Sequence, residues 1–198
     1  MTRSDARNTA APMHDQMPEG RAILPSPART ALRQAAAALD RAEQFHQPLE
    51  MALALAQMAR CYRGLQAHGP AERYLEKALA WANTLGAIDQ SVEILCLLAE
   101  TSCSLAESQP PGNGRSRHAA RERTRDRVFE IARLAGRVAD PDWEIKVLLR
   151  ISDVLDRCGD HDDAVELQSR AMRLMYGPHA AGDAAEALPS AAKHAAQG

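Results

Sequence analysis

The stretch GDHDDAVELQSRAM, residues 159–172, follows a Gly-Asp turn with a helical segment in which Ala164 and Ala171 are seven residues apart. A third small residue, Ser152, lies twelve positions upstream in the preceding helical segment. Residues seven apart share one face of a helix. Small side chains at these places let two antiparallel helices approach closely, so the stretch predicts a helix-turn-helix hairpin.

The same arrangement occurs earlier in the chain. In PAERYLEKALAWA, residues 70–82, Ala71 and Ala78 repeat the spacing, and Ala59 lies twelve positions before Ala71. Self-similarity at an interval of about 34–40 residues is typical of helical repeat arrays. We therefore predict an all-α solenoid of helix-turn-helix repeats.

Apolar periodicity and turn residues predict about seven helices between residues 28 and 176. The expected helices run over about 28–46, 48–66, 70–85, 89–106, 119–136, 142–158 and 161–176. Gly86 and Gly159 are expected to end helices. The expected N-caps are Asp142, Asp160 and either Asp89 or Ser91.

Three segments fall outside this helical pattern. Residues 1–27 are polar, contain proline and show no period, so we interpret them as a disordered tail. The Ala-rich residues 177–198 carry Gly and Pro and are interpreted in the same way. The stretch SQPPGNGRSRH, residues 108–118, holds two prolines and two glycines and is the clearest expected loop.

The bulk numbers exclude several classes of protein. The 198 residues carry a formal charge of −2, so no overall attraction to nucleic acid or anionic lipid is evident. The apolar runs fall far short of the roughly 20 residues that a membrane helix needs. The first twenty residues contain no apolar core of a secretory signal. We therefore expect no membrane association and a cytoplasmic location.

The four cysteines do not resemble a disulfide framework. Cys96 and Cys103 share a helix face at a separation of roughly 10 Å, whereas a disulfide needs Cα atoms within about 7 Å. Cys61 and Cys158 stand alone, and no zinc-ligand spacing occurs. We expect small, reduced cysteines packed between helices.

The residues resemble the tetratricopeptide repeat family over about 30–176. The matching positions of a first unit, about 52–85, are Leu55, Met58, Ala59, Tyr62, Ala71 and Ala78. Those of a third unit, about 145–178, are Leu148, Ile151, Ser152, Gly159, Asp160, Ala164 and Ala171. The middle unit matches through Leu98, Ala99 and Ala132. The 40-residue interval from Ala38 to Ala78 is similar to a long-helix variant found in bacterial regulatory proteins.

In that family the first helix of each pair lines a concave groove. The resemblance therefore implies a protein-interaction scaffold, or a chaperone-like adaptor, that binds a peptide or helix of a client protein. The charged groove residues that it implies are Arg60, Arg63, Glu93, Glu100, Lys146, Asp153, Asp156 and Arg157. Their charge runs from basic through acidic to mixed, which suits a client bearing both signs. The alternative interpretation is a merely solvated helix face.

A second functional hypothesis concerns RSRHAARERTRDR, residues 115–127, which contains six arginines. These side chains could contact the phosphates of a nucleic acid and make the chain a nucleic-acid-associated regulator. The contacts would be made by Arg115, Arg117, Arg121 and Arg125. Glu122 and Asp126 are interleaved, however, and no aromatic residue is available for stacking, so ordinary surface pairs explain the pattern as well.

No motif indicates catalysis, a metal or a cofactor. Asp160, His161, Asp162 and Asp163 stand at a helix start, where carboxylates complement the helix dipole without a metal. We therefore expect no enzymatic activity, no cofactor and no metal site.

The last helix, 161–176, carries a second apolar stripe. Val165, Met172, Met175 and Tyr176 lie away from the stripe that faces the preceding helix. Repeat arrays usually need a polar outer face at their ends. We expect this stripe to be covered by the tail around Ala184–Ala192, by a second copy of the chain or by the client, and we favour a homodimer through helix 161–176.

Overall fold

A computed structural model describes residues 26–110 and 114–177 of the chain. The described residues form seven helices and no strand, so the all-α prediction is confirmed. The helices are α1 (Ser26–Gln44), α2 (Pro48–Gly64), α3 (His68–Thr84), α4 (Ile88–Ser108), α5 (Gly114–Ala135), α6 (Pro141–Cys158) and α7 (His161–Tyr176). The predicted tails, 1–27 and 177–198, lie outside the described residues apart from their inner ends.

In two parts of the chain, consecutive helices begin at the same spacing in residues. α2, α3 and α4 begin at residues 48, 68 and 88, and α6 and α7 begin at 141 and 161. A residue in the left-handed conformation lies in each short turn; these are His46, Gln66, Gly86 and Gly159, with φ of 51°, 59°, 65° and 89°. The next N–H then donates back into the helix, as from Ala67 to the Tyr62 carbonyl oxygen at 2.9 Å. The same helix-ending turn therefore closes α1, α2, α3 and α6.

The N-cap of α6 differs from the prediction. Asp140, rather than Asp142, caps the helix, and its carboxylate accepts a hydrogen bond from the Trp143 backbone N–H at 3.1 Å. The reason is Pro141, whose fixed φ suits the first helical position and whose ring favours an extended residue before it. Asp140 is extended, with φ −133° and ψ 94°.

The N-cap of α4 was also predicted wrongly. The cap position is Ala87 and the helix begins at Ile88, so neither Asp89 nor Ser91 caps it. The Ser91 hydroxyl instead donates to Asn83 Oδ1 at 2.9 Å, which ties α4 to α3. At α7 the expected residue, Asp160, does occupy the cap position, although its side chain makes no capping hydrogen bond.

The connection between α4 and α5 is shorter than the predicted loop. α5 begins at Gly114, so residues 114–118 are helical and the expected loop over 108–118 is wrong for them. The Arg117 guanidinium donates to the Gln109 carbonyl oxygen at 2.8 Å, which ties the start of α5 to the end of α4. Ala120 is buried in the next turn. These interactions extend the helix beyond what the local Gly and Pro content suggests.

The helices pack against one another in chain order, and α4 also contacts α6. The small residues that the sequence places at close helix contacts are all buried. They are Ala59, Ala71, Ala78, Ser152, Ala164 and Ala171. Larger side chains, among them Leu75, Leu98 and Leu155, fill the core between them. None of the described helices is both long enough and apolar enough to cross a membrane.

Candidate functional site

A chain of ion pairs joins α2, α4 and α6 across one face. Glu100 on α4 lies at its centre, with Oε2 2.6 Å from Arg63 Nη2 on α2 and Oε1 2.6 Å from Arg150 Nε on α6. Arg150 Nη1 also lies 2.9 Å from Glu93 Oε2, two turns earlier on α4. Glu93 and Glu100 are seven residues apart, so both face α6. We call these four residues the ion-pair chain.

The surroundings of Glu100 and Arg150 favour the charged form of each side chain. Burial alone would raise the pKa of Glu100, whose side chain is 16% exposed, but hydrogen bonds and charges from Arg150 and Arg63 hold that pKa below its ordinary value. Burial alone would lower the pKa of Arg150. The hydrogen bonds and charges of its neighbours, Glu100 first, together outweigh burial and raise that pKa above its ordinary value. Each group therefore stabilises the charged form of its partner.

A second contact joins α4 and α6 nearer their C-terminal ends. Arg157 Nη2 lies 2.8 Å from Glu107 Oε2 and 3.3 Å from the Ser104 hydroxyl. The hydrogen bond between Arg157 and Glu107 lowers the pKa of Glu107 and raises the pKa of Arg157. On the adjacent turn, Asp156 Oδ1 lies 2.5 Å from His161 Nδ1.

The predicted groove residues fall into two groups. Arg63, Glu93, Glu100 and Arg157 are engaged in ion pairs within the fold, and Asp156 lies against the His161 ring. Arg60, Lys146 and Asp153 are exposed, and within residues 26–110 and 114–177 they have no ion-pair partner. The predicted groove residues are therefore of two kinds. Some hold helices together, and others are exposed and free to contact a ligand.

Sequence reasoning missed Arg150 and Glu107. Arg150 lies four residues after Lys146 and seven before Arg157, so helical spacing places all three on one side of α6. That spacing was a usable signal for Arg150. Glu107 lies seven residues after Glu100 on α4 and repeats the same pattern.

Exposed leucines lie beside the free charges. Leu53 on α2 is 39% exposed and Leu149 on α6 is 38% exposed. Leu53 is seven residues from Arg60, and Leu149 is four residues from Asp153, so each pair shares a helix face. A surface with apolar side chains flanked by charges suits the amphipathic side of a peptide.

A cavity of about 320 Å³ opens at the C-terminal end of α2. It is lined by Arg60, Arg63, Gly64, Gln66, His68 and Ser104. His68 Nε2 lies 3.1 Å from Gln66 Oε1. Because Arg63 is paired with Glu100 while Arg60 is free, the available positive charge of this cavity comes chiefly from Arg60.

The arginine-rich segment forms most of the first half of α5, and several of its side chains serve the fold. Arg125 pairs with Asp163 at 2.7 Å and lies 5.6 Å from the centre of the Phe129 ring. Arg127 lies 3.0 Å from Glu72 and also donates to the Ser102 hydroxyl.

The four arginines proposed for nucleic-acid contact are divided in the same way. Arg117 is bonded to the end of α4, and Arg125 is paired with α7. Arg115 and Arg121 are exposed on α5. The structure therefore leaves only part of the predicted phosphate-binding set at the surface.

The expectation that Cys158 stands alone is wrong. Cys158 on α6 and Cys103 on α4 line the same cavity, and the two thiols are close enough for each to shift the pKa of the other. The sequence could not show this, because the two helices meet only through the tertiary packing. All four cysteines are free thiols.

The acidic start of α7 faces α5. Asp160, His161, Asp162 and Asp163 line a shallow cavity together with Arg125, which pairs with Asp163. Across the part of the chain that the structure describes, no three His, Cys, Asp or Glu side chains converge as a metal site would require.

A scan against models of known protein families finds no match for this chain. A search of curated proteins likewise finds no significant match. The resemblance to tetratricopeptide repeats therefore rests on the residues quoted above.

Proposed function

We propose that this chain is a protein-interaction module of tetratricopeptide type. In this proposal α2, α4 and α6 form the inner wall of a solenoid groove that holds a peptide or helix of a client protein. The observation that carries it is the ion-pair chain, which ties these three helices together on one face. These are the first helices of the three pairs that the resemblance implies.

The charges and leucines on that face suggest what a client would present. The members of the ion-pair chain satisfy one another, so they supply a rigid wall rather than a binding charge. Leu53 and Leu149 offer apolar surface, and Arg60 offers a free positive charge at one end. Asp153 offers a free negative charge on α6. A client segment with apolar side chains, an acidic group near Arg60 and a basic group near Asp153 fits this pattern.

The use of arginines inside the fold weighs against the nucleic-acid hypothesis. Arg117, Arg125 and Arg127 are bonded to other parts of the chain. The exposed arginines of α5 alternate with Glu122 and Asp126. A bacterial, cytoplasmic protein client is the partner class that we propose.

The test is affinity capture from the native host, followed by quantitative mass spectrometry. The informative variant is Leu53→Asp with Leu149→Asp, which changes two exposed side chains and should leave the helices folded. The matched control is Leu85→Asp, because Leu85 is equally exposed but lies in the turn after α3. A client that binds the wild type and the control but not the double variant supports the proposal.

The captured client should then bind the purified chain directly, as measured by calorimetry. Equal capture by the wild type and the double variant would contradict the groove assignment. Tight, salt-sensitive binding of RNA or DNA that is lost in Arg115→Ala with Arg121→Ala would instead favour the nucleic-acid alternative.

A further inference from the structure

Two buried cysteines from separate hairpins meet in the core. Cys103 on α4 is 1% exposed and Cys158 on α6 is 4% exposed. Cys103 Sγ lies 4.0 Å from the carbonyl oxygen of Val154, one helical turn before Cys158. Each thiol also shifts the pKa of the other. The pair is thus placed by the packing of α4 against α6.

A cavity gives small molecules access to this pair. It measures about 210 Å³ and lies where α4, α5 and α6 meet. Its lining residues are Cys103, Ala106, Glu107, Arg117, Arg121, Arg157 and Cys158. A water molecule takes about 30 Å³ in the liquid, so a molecule the size of a hydroperoxide fits easily.

The surroundings make the two thiols unequal. The hydrogen bond from Cys103 lowers the pKa of Cys158, against the effect of burial and with help from Arg121. The same contact and burial raise the pKa of Cys103, whose Sγ lies 3.6 Å from Glu107 Oε1. Cys158 is therefore the better nucleophile, and Cys103 is placed to react second.

The other two cysteines lack this combination. Cys96 is also buried on α4, but burial raises its pKa to about 12 and keeps it a thiol. Cys61 lies half-buried on α2 and does not line the cavity. The chain thus offers one reactive pair and two internal controls.

We propose that Cys103 and Cys158 form a reversible disulfide when the chain meets a hydroperoxide. The Cys158 thiolate attacks one peroxide oxygen, the O–O bond breaks, and protonation of the departing hydroxide yields water and a sulfenic acid. The Cys103 sulfur then attacks the Cys158 sulfur, the S–O bond breaks, and the thiol proton leaves with hydroxide as a second water. Two thiols are oxidised by two electrons in total, and one hydrogen peroxide is reduced to two waters.

The disulfide would fasten α4 to α6 beside the Arg157–Glu107 contact. It would link the second and third helix pairs covalently at one end of the face that α4 and α6 share. This inference concerns the core and stands whether or not the face binds a client.

The test treats the reduced, full-length chain with hydrogen peroxide, removes the peroxide, unfolds the chain and counts free thiols with a chromogenic disulfide reagent. We expect the count to fall from the four cysteines of the chain to half that number, and to return after dithiothreitol. Digestion with trypsin and a protease that cuts after glutamate separates Cys96 from Cys103, because Glu100 lies between them. The expected product joins residues 101–107 to residues 158–166.

Variants identify the reacting pair. Cys61→Ser and Cys96→Ser should form the linked product as the wild type does, whereas Cys103→Ser and Cys158→Ser should not. Arg121→Ala, at an exposed position, should slow the oxidation several-fold while the chain stays folded by circular dichroism. The proposal is wrong if the wild type keeps all its thiols, forms only intermolecular disulfides, or oxidises to sulfinic acid without a linked product.

Discussion

Arg63 on α2 and Glu100 on α4 lie 2.6 Å apart, with side chains that are mostly buried. The resemblance to tetratricopeptide repeats implies that both line a ligand groove. In the structure they hold two helix pairs together, and Glu100 holds the third pair as well through Arg150. A residue that the resemblance assigns to a ligand groove can therefore stabilise the packing of the helices instead.

Glu100→Gln should destabilise the chain by about 1–3 kcal/mol, because it leaves Arg63 and Arg150 partly buried without their shared countercharge. Urea unfolding followed by circular dichroism measures this change. The control is Glu76→Gln, since Glu76 is 57% exposed and its contact with Arg127 is longer, at 3.6 Å. That control should cost less than about 0.5 kcal/mol. Equal stabilities of the two variants would contradict a structural role for Glu100.

Stability should fall in acid, and the Glu100→Gln variant shows how much of that loss comes from Glu100. The folded-state pKa of Glu100 lies below the ordinary value of 4.5. Its contribution to stability is therefore complete above that value and is lost as the pH falls through the folded-state pKa. Thermal unfolding between about pH 6 and pH 3 should show a smaller loss in Glu100→Gln than in the wild type. Parallel curves for the two proteins would rule out this contribution.

Ala78→Leu and Ala171→Leu should each destabilise the fold by about 1–3 kcal/mol, because both alanines are fully buried between helices. Ala80→Leu, at an exposed position on α3, is the matched control and should leave stability nearly unchanged. Chemical unfolding of the three variants provides the comparison. Unchanged midpoints for Ala78→Leu and Ala171→Leu would mean that the helices do not approach closely there.

Gln66→Gly should stabilise the chain by about 0.5–1 kcal/mol, since Gln66 has a φ of 59° that glycine adopts without strain. The reverse change, Gly86→Ala, should destabilise by about 1 kcal/mol for the same reason. No atom lies within 4 Å of a Cβ added at Gly86, so any loss there comes from the backbone conformation alone. Melting temperatures that move in opposite directions would support this view, and a gain in both would refute it.

The outer face of α7 gives a prediction about self-association. Met172 and Met175 are 48% and 45% exposed, and Val165 and Tyr176 are exposed beside them. If a second copy covers this face, Met172→Glu with Met175→Glu should convert a dimer into a monomer in light scattering. Leu85→Glu should not change the mass. A wild type that stays monomeric at high concentration would exclude this dimer.

Helix positions could be predicted well because their determinants are local. The apolar period and the Gly-Asp turn at 159–160 led to the observed bounds of α7 without error. The cap of α6 lies at Asp140 rather than at the predicted Asp142, because Pro141 favours the first helical position and an extended residue before it. The start of α5 was missed because its tie to α4, from Arg117 to Gln109, joins separate helices.

The candidate site could be predicted only in part. Which groove charges pair with which depends on the rotation and register of neighbouring helices, and one sequence does not encode these in its local pattern. Helical spacing therefore identifies a face, as for Lys146 and Asp153, but not the pairing of Arg150 with Glu100. The same reason hides the meeting of Cys103 and Cys158.

If a client binds this face as proposed, the ion-pair chain also affects how fast it associates. Its two arginines and two glutamates cancel at short range, so these four residues project little field into the solvent. Long-range steering raises association rates far above the roughly 10⁵–10⁶ M⁻¹s⁻¹ of neutral encounters, and the ion-pair chain provides little of it. We therefore expect a client to associate at a rate that depends only weakly on ionic strength, and selectivity among clients to appear mainly in the lifetime of the complex.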